Sequence, residues 1–214
     1  MQLGDASACE QTEGSQLVLA LNTLDNALRG LIDTIEAGGL DQLTAAQKIS
    51  FWQRFETFRN RLPLIDHGLI ADAETSDLAG EYSFSNLSRF MVRMFQLSPG
   101  EAASRVRAAA AVGPRSSMLG ERLEPVLPRL AALQRDGAVT AEKVQIVQRA
   151  MHQLSRPGLN LEDVQTAQQL LTDYAPLLAP GELRRYALRV VDAADPDESR
   201  PMYFVGIDKA RFRR

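Results

Sequence analysis

The sequence predicts an all-α protein, a multi-helix bundle of about seven to eight helices. Apolar residues recur at three- and four-residue spacing along nearly the whole chain, which is the periodicity of an amphipathic helix. Hydroxyl and amide caps, first-turn prolines and closing glycines interrupt this pattern at regular intervals. Only residues 202–207 have the composition of a short C-terminal strand. We therefore expect a helical bundle, with that strand as its one extended element.

The first predicted helix carries an apolar stripe in which leucines alternate by four and three positions. Ser15 is positioned to cap this helix and Gly38-Gly39 to end it, so residues 1–15 are expected to form a flexible N-terminus. The spacing fits two interpretations, packing within the chain or a self-association seam. The candidate self-association residues are Leu17, Leu21, Leu24, Leu28 and Leu31, and Ile35 continues the stripe.

The second predicted helix opens with a capping box, in which Thr44 and Gln47 satisfy each other's backbone amides. Pro63 should end or kink it at Leu62, because proline lacks an amide donor and crowds the preceding turn. We expect a further helical piece to follow, so that residues 16–72 form an N-terminal helical hairpin, and residues 73–82 to be a loop. The predicted aromatic core comprises Trp52, Phe55, Phe90 and Phe95.

A pair of helices joined by a tight turn is predicted over residues 86–112. Ser98-Pro99-Gly100-Glu101 combines a hydroxyl cap, a proline at the first helical position and a carboxylate three residues after the cap. A DNA-reading helix-turn-helix has this order, and its second helix exposes polar side chains near its N-terminus. Any antiparallel helix pair shares the pattern, so solvated arginines are the alternative. The candidate DNA contacts here are Arg89, Arg93, Arg105 and Arg107.

Further helices are predicted after residue 113. Gly113-Pro114 ends the helix pair, and the segment from 115 to 128 is expected to be a loop before a short helix that ends at Gly137. Thr140, Asn160 and Pro180 then start three more helices, completing a helical core over residues 83–197. A second candidate DNA-contacting face lies on the last helix, at Arg184, Arg185 and Arg189. Residues 198–214 form a basic tail, which suits either nucleic-acid binding or a solvated terminus.

The composition argues against most catalytic classes. The net charge is −3, which excludes a chain-wide nucleic-acid footprint but not a local basic patch. Cys9, His67 and His152 are isolated, and we expect both histidines to be surface or boundary residues. We predict no catalytic residue, no metal ligand and no cofactor. A single cysteine and the absence of long apolar runs favour a cytoplasmic protein without a membrane helix.

Residues 40–197 contain a series of short motifs in a fixed order. They are Arg61-Leu62-Pro63, Leu97-Ser98-Pro99-Gly100-Glu101-Ala102, Arg105-Val106, Gly113-Pro114-Arg115, Gly120-Glu121, Leu127-Pro128, Asp136-Gly137, Leu183-Arg184-Arg185 and Asp195-Pro196-Asp197. In order and spacing the chain resembles the 13E12 repeat family, a helical domain of unknown function (222) that commonly lies N-terminal to an HNH endonuclease module. Lys143 departs from the family, where a histidine often follows a glutamate, so no role of that histidine carries over.

The resemblance implies an accessory domain rather than an enzyme. The Cys- and His-bearing nuclease module of longer relatives has no counterpart in residues 1–214, so we expect no nuclease activity unless such a module is supplied elsewhere. The implied function is to help position a nuclease on DNA, and the expected partners are double-stranded DNA, an HNH module or a second copy of the chain. The alternatives are a protein-protein or self-association scaffold, and a truncated relic of a mobile element.

Overall fold

The computed structural model describes residues 5–117 and 119–194, and side chains from residue 16 onward within those ranges. The expected strand at 202–207 and the basic tail lie outside them. The described chain is mostly helical, which confirms the all-α fold class. Its elements are α1 (Asp5–Glu36), α2 (Ala45–Arg61), α3 (Pro63–Thr75), α4 (Leu78–Glu81), α5 (Leu87–Phe95), α6 (Pro99–Val112), β1 (Arg115–Ser116), β2 (Arg122–Leu123), α7 (Pro128–Arg135), α8 (Ala141–Gln153), α9 (Leu161–Tyr174) and α10 (Pro180–Ala194).

The chain divides into two compact units, Met1–Arg54 and Phe55–Arg214. The boundary lies inside α2, so the first unit contains α1 and the beginning of α2. The residues of the expected hairpin, 16–72, therefore belong to two units. α3 lies in the second unit, where it packs against α6.

The predicted helix starts at Thr44, Ser98 and Thr140 are confirmed. Thr44 and Gln47 form the capping box, with the Thr44 amide donating to Gln47 Oε1 at 2.9 Å. Ser98 Oγ accepts the Glu101 amide at 3.1 Å, and Thr140 Oγ1 accepts the Lys143 amide at 3.3 Å. Each such cap satisfies an amide that the helix itself leaves unpaired, and contributes about 1 kcal/mol.

Three stretches differ from the prediction. α1 begins at Asp5, so Ser15 lies inside the helix instead of capping it. The expected loop at 73–82 is partly helical, because buried Ala73 extends α3 to Thr75 and buried Ala79 anchors the short α4. The expected loop after Gly113 contains an antiparallel β1–β2 hairpin, which turns at Gly120 with a φ of 80°. A two-residue strand is too short for alternation to reveal it in the sequence.

The second unit has two apolar clusters that share α6. One packs α3, α4 and α5 against α6, around Ile70, Phe90 and Met91. The other joins the end of α6 to α7, α8, α9 and α10, around Leu130 and Leu171. The buried face of α6 is lined by small residues, which let neighbouring helices approach closely: Ala102, Ala108, Ala109 and Ala111.

The predicted aromatic core is correct only in part. Phe90 is buried at 6% exposure and packs edge-on against Phe84 and Phe95. Phe55 is half-buried and stacks on Phe58. The prediction is wrong for Trp52 and Phe95, whose side chains are 68% and 59% exposed. Phe95 is the last residue of α5, where one side of its ring faces solvent, and Trp52 lies in a unit whose described side chains include no buried residue.

Candidate functional site

The helix pair α5–α6 holds four of the seven predicted DNA-contacting arginines. Asn86 caps α5 by accepting the Arg89 amide at 2.9 Å, and Gln96 ends it in a left-handed conformation with a φ of 55°. Two residues later Ser98 caps α6, so the two helices are joined by a tight turn as the sequence predicts. Arg89 and Arg93 lie one turn apart on α5, on the side opposite its apolar face, and both are exposed.

α6 is a central helix of the second unit rather than an outer one. It packs against α3, α5, α7 and α8. Only its first three residues, Arg107 and Ala110 are exposed. A helix that lies in a major groove needs an exposed face near its N-terminus. α6 offers its first turn and Arg107 for such a contact, whereas Ser104 and Arg105 are half-buried.

Arg105 forms two ion pairs within the second unit. Its Nη1 lies 3.2 Å from Asp66 Oδ2 on α3, and its Nη2 is hydrogen-bonded to Glu101 on its own helix. Its charge is therefore matched by two carboxylates and it ties α6 to α3. Of the four arginines on the helix pair, this one is the least available to a phosphate.

The other three arginines of the pair are more accessible. Arg89 Nη1 donates to Ser85 Oγ at 3.2 Å, a neutral partner that leaves its charge uncompensated. Arg93 and Arg107 have no hydrogen bond or ion pair with another residue of the described chain. Between residues 83 and 120 the sequence holds five arginines and one acidic residue, Glu101. This segment is locally basic although the whole chain is acidic.

An acidic segment lies beside this basic one. α3 and α4, with the turn between them, hold five carboxylates, and α3 packs against both α5 and α6. Any polyanion bound to the helix pair would therefore have to approach from the side away from Asp66, Asp72, Glu74, Asp77 and Glu81.

The three predicted arginines of α10 form a second exposed set. Arg184 Nη2 donates to Glu142 Oε1 on α8 at 2.9 Å, so its charge is compensated. Arg185 and Arg189 are exposed and have no partner in the part of the chain that the structure describes. The exposed Leu188 lies between them in the sequence.

His67 is not the surface or boundary residue that the sequence suggested. It is 3% exposed, and its Nε2 lies 3.1 Å from Oε1 of Gln134, itself fully buried. Burial lowers the pKa of His67, and the hydrogen bond to Gln134 and the charge of Asp66 offset part of that effect. The imidazole is therefore neutral near pH 7. Among the described residues, His67 Nδ1 and Gln134 Nε2 have no hydrogen-bond partner.

Sequence reasoning missed this pair because its members are 67 positions apart. One signal was available: Gln134 occupies the apolar stripe of α7, four residues after Leu130 and on the same buried face. A polar residue at such a position needs a buried partner.

The remaining chemistry-bearing residues form no cluster within the described ranges. His152 is exposed in the last turn of α8, as expected. Among the described residues there is no group of three or more His, Cys, Asp or Glu side chains that could hold a metal ion. The described helices also include none that is both long and apolar enough to cross a membrane.

The predicted self-association stripe lies on α1. Leu17 and Leu21 are 75% and 65% exposed, and Leu28 is also exposed. Leu24 and Leu31 are half-buried. These residues belong to the first unit, whereas all seven candidate DNA-contacting arginines belong to the second.

Comparison with known proteins shows one family and several longer relatives. Residues 49–214 match the family described as Domain of unknown function (DUF222). The uncharacterized proteins MT1741Mb1728c and Rv1702cMb1728c, from two strains of Mycobacterium tuberculosis, are each 30% identical over 202 residues, which is 92% of this chain and 41% of theirs. Rv1128c of the same species is 28% identical over 81% of this chain and 37% of its own length. No solved structure matches the chain.

Proposed function

Because the chain belongs to the DUF222 family and spans about two fifths of the length of the relatives it matches, we propose that it is a non-catalytic accessory module that helps position an HNH nuclease module on double-stranded DNA. The observation that carries the DNA part of this proposal is the set of exposed arginines on α5, α6 and α10 without a carboxylate partner in the described chain. They are Arg89, Arg93, Arg107, Arg185 and Arg189.

Arginines of this kind suit contacts to the phosphate backbone. A guanidinium that is solvated and unpaired forms a phosphate contact without first breaking an ion pair, and the released counterions then favour binding. Arg105 and Arg184 are already paired with carboxylates and would contribute less. The expected binding is weak and independent of base sequence, because these contacts position a protein on the duplex but do not read the bases.

The two histidines support a non-catalytic role. His67 is enclosed and hydrogen-bonded to Gln134, so a substrate has no access to its imidazole. His152 is accessible, but the described part of the chain places around it neither the ligands nor the orienting partner that a nuclease histidine needs. The proposal therefore assigns the chemistry to the nuclease module and the positioning to this domain. The association with an HNH module rests on the family resemblance.

The experiment is fluorescence anisotropy with a labelled duplex at low salt, using the 214-residue chain. The test variant reverses three unpaired or weakly held charges: Arg89→Glu, Arg93→Glu and Arg107→Glu. The control variant makes the same net change at three exposed arginines outside the predicted set: Arg135→Glu, Arg149→Glu and Arg156→Glu. Arg105 is left intact because its reversal would break the contact between α6 and α3.

We expect the test variant to bind at least about tenfold more weakly than the wild type and the control to change binding by less than about threefold. Equal losses in the two variants would mean that only the net charge matters. Absence of binding by the folded wild-type chain at low salt would reject the DNA part of the proposal.

A further inference from the structure

The first unit exposes most of an apolar helix face, which its described side chains cover only in part. None of the described side chains from residue 16 to residue 54 is buried, although this stretch is rich in leucine, isoleucine and aromatic residues. Among the described residues, α1 and the part of α2 in this unit share no extensive packing. The exposed members of the α1 stripe are Leu17, Leu21, Leu28 and Ile35.

A long helix in this state lacks the usual source of helical stability. Isolated helices are marginal in water, and most helices in proteins are held by packing of their apolar face. α1 has such a face: the stripe runs along 19 residues, or about 28 Å of helix. It consists of leucine and isoleucine only, with no polar residue in the seam. A face of this length and composition needs an apolar partner.

The spacing of the stripe makes it complementary to itself. The six positions 17, 21, 24, 28, 31 and 35 are symmetric about residue 26, because the intervals of four and three read the same in both directions. When two copies of α1 lie antiparallel about this point, Leu24 of one copy is level with Leu28 of the other. Leu21 is then level with Leu31, and Leu17 with Ile35. Every seam residue meets another seam residue, as a two-fold symmetric interface requires.

The charges of α1 agree with the same arrangement. In the antiparallel pair about residue 26, Asp25 and Arg29 of both copies lie on the same flank of the seam, and Asp25 of one copy is only two residues out of level with Arg29 of the other. Opposite charges can therefore pair between the copies, which offsets the approach of the two Asp25 carboxylates. In a parallel pair the two Asp25 side chains lie on opposite flanks, each facing Ala20 of the other copy, and no such pairing forms.

We propose that the α1 face is an interface with a second copy of this chain, in which the two α1 helices pair antiparallel about residue 26. The seam is one helix wide and smaller than a standard interface of about 1,600 Å², so the dimer is reversible and depends on concentration. The interface leaves the seven candidate DNA-contacting arginines unused, since none of them is in the first unit.

The test is sedimentation velocity of the 214-residue chain over a concentration series reaching about 200 µM, well into the range of weak specific association. The test variant carries Leu21→Glu and Leu28→Glu, which place two charges in the seam. The control carries Leu19→Glu and Asn26→Glu, which add the same charge with the same seven-residue spacing on the opposite side of α1. All four positions are exposed, so the second unit should fold in both variants.

We expect the wild type to form a dimer, the test variant to raise its dissociation constant at least about 100-fold, and the control to change it less than about threefold, because a charge is strongly disfavoured in an apolar seam. Dilution should also lower the helix content of the wild type, measured by circular dichroism. A wild type that stays monomeric at every concentration overturns the proposal, and so does equal weakening by the two variants.

The orientation is tested separately by cross-linking in a Cys9→Ser background. Leu24→Cys mixed with Leu28→Cys should form a disulfide-linked dimer faster than either variant alone, because positions 24 and 28 are level only in the antiparallel pair. Faster cross-linking within each single variant would show a parallel pair and contradict the proposed register.

Discussion

Gly137 ends α7 at a point where three side-chain hydrogen bonds from α2 converge. Its φ is 76°, and its carbonyl accepts Asn60 Nδ2 at 2.9 Å. Arg61 donates from Nε to the carbonyl of Arg135 at 3.0 Å and from Nη2 to the carbonyl of Asp136 at 3.1 Å. A Cβ at position 137 would clash with the backbone carbonyl oxygen of Thr57 and lie 2.6 Å from its Cγ2. Gly137→Ala should therefore disturb both the turn and its contact with α2.

The expected loss of stability has two parts. The left-handed conformation costs about 1–2 kcal/mol for a residue with a Cβ. The contact with the Thr57 carbonyl is with backbone, so α2 and the α7 turn must move apart and weaken hydrogen bonds worth about 0.5–1.5 kcal/mol each. If two of the three bonds are lost, Gly137→Ala lowers the free energy of unfolding by roughly 3 kcal/mol, a large effect for one methyl group.

Gly120→Ala is the matched control. Gly120 has a φ of 80° but nothing within 4 Å of an added Cβ, so it carries the conformational part alone. Denaturant unfolding followed by circular dichroism should show that Gly137→Ala is more destabilising by about 2 kcal/mol. If the two substitutions lower stability equally, the contact between α2 and the α7 turn contributes nothing and the reasoning fails.

Two further substitutions test the packing and the buried histidine. Phe90→Ala should lower the free energy of unfolding by about 3–5 kcal/mol, because Phe90 is buried among three aromatic rings. Trp52→Ala should change it by less than about 1 kcal/mol, because the indole is largely exposed. Equal effects of the two substitutions in denaturant unfolding would contradict this assignment. The pKa of His67 is lowered from 6.5 in the folded state, so the unfolded chain binds a proton at this imidazole more readily than the folded chain does. The stability of the fold should therefore not depend on His67 well above pH 6.5, and it should fall as the pH drops below 6.5. His67→Gln should flatten this dependence between about pH 7 and 5.5, and an unchanged slope would show that other groups cause it.

The sequence was most informative where the determining contact is local. The caps at Ser98 and Thr140 were predictable because the hydroxyl and the amide it accepts are three residues apart. The positions of Arg89 and Arg93 followed from the apolar face of α5, since residues opposite such a face are solvated.

Contacts between distant residues were not predictable in this way. Arg105 and Asp66 are 39 positions apart in the sequence and lie on different helices. The sequence around either residue gives no sign that the two side chains pair. The exposure of Trp52 was mispredicted for a related reason. Periodicity shows that a helix has an apolar face, but it does not show which element, if any, covers that face.

The salt dependence of DNA binding tests the central claim that unpaired arginines of the second unit contact phosphate. Each phosphate contact contributes about −0.9 to the slope of log Kobs against log salt concentration. The variant with Arg89→Glu, Arg93→Glu and Arg107→Glu should therefore show a slope shallower than that of the wild type by about 2.7 units, while reversal of Arg135, Arg149 and Arg156 leaves the slope unchanged. A wild-type slope near zero, or the same slope in all three proteins, would contradict the account.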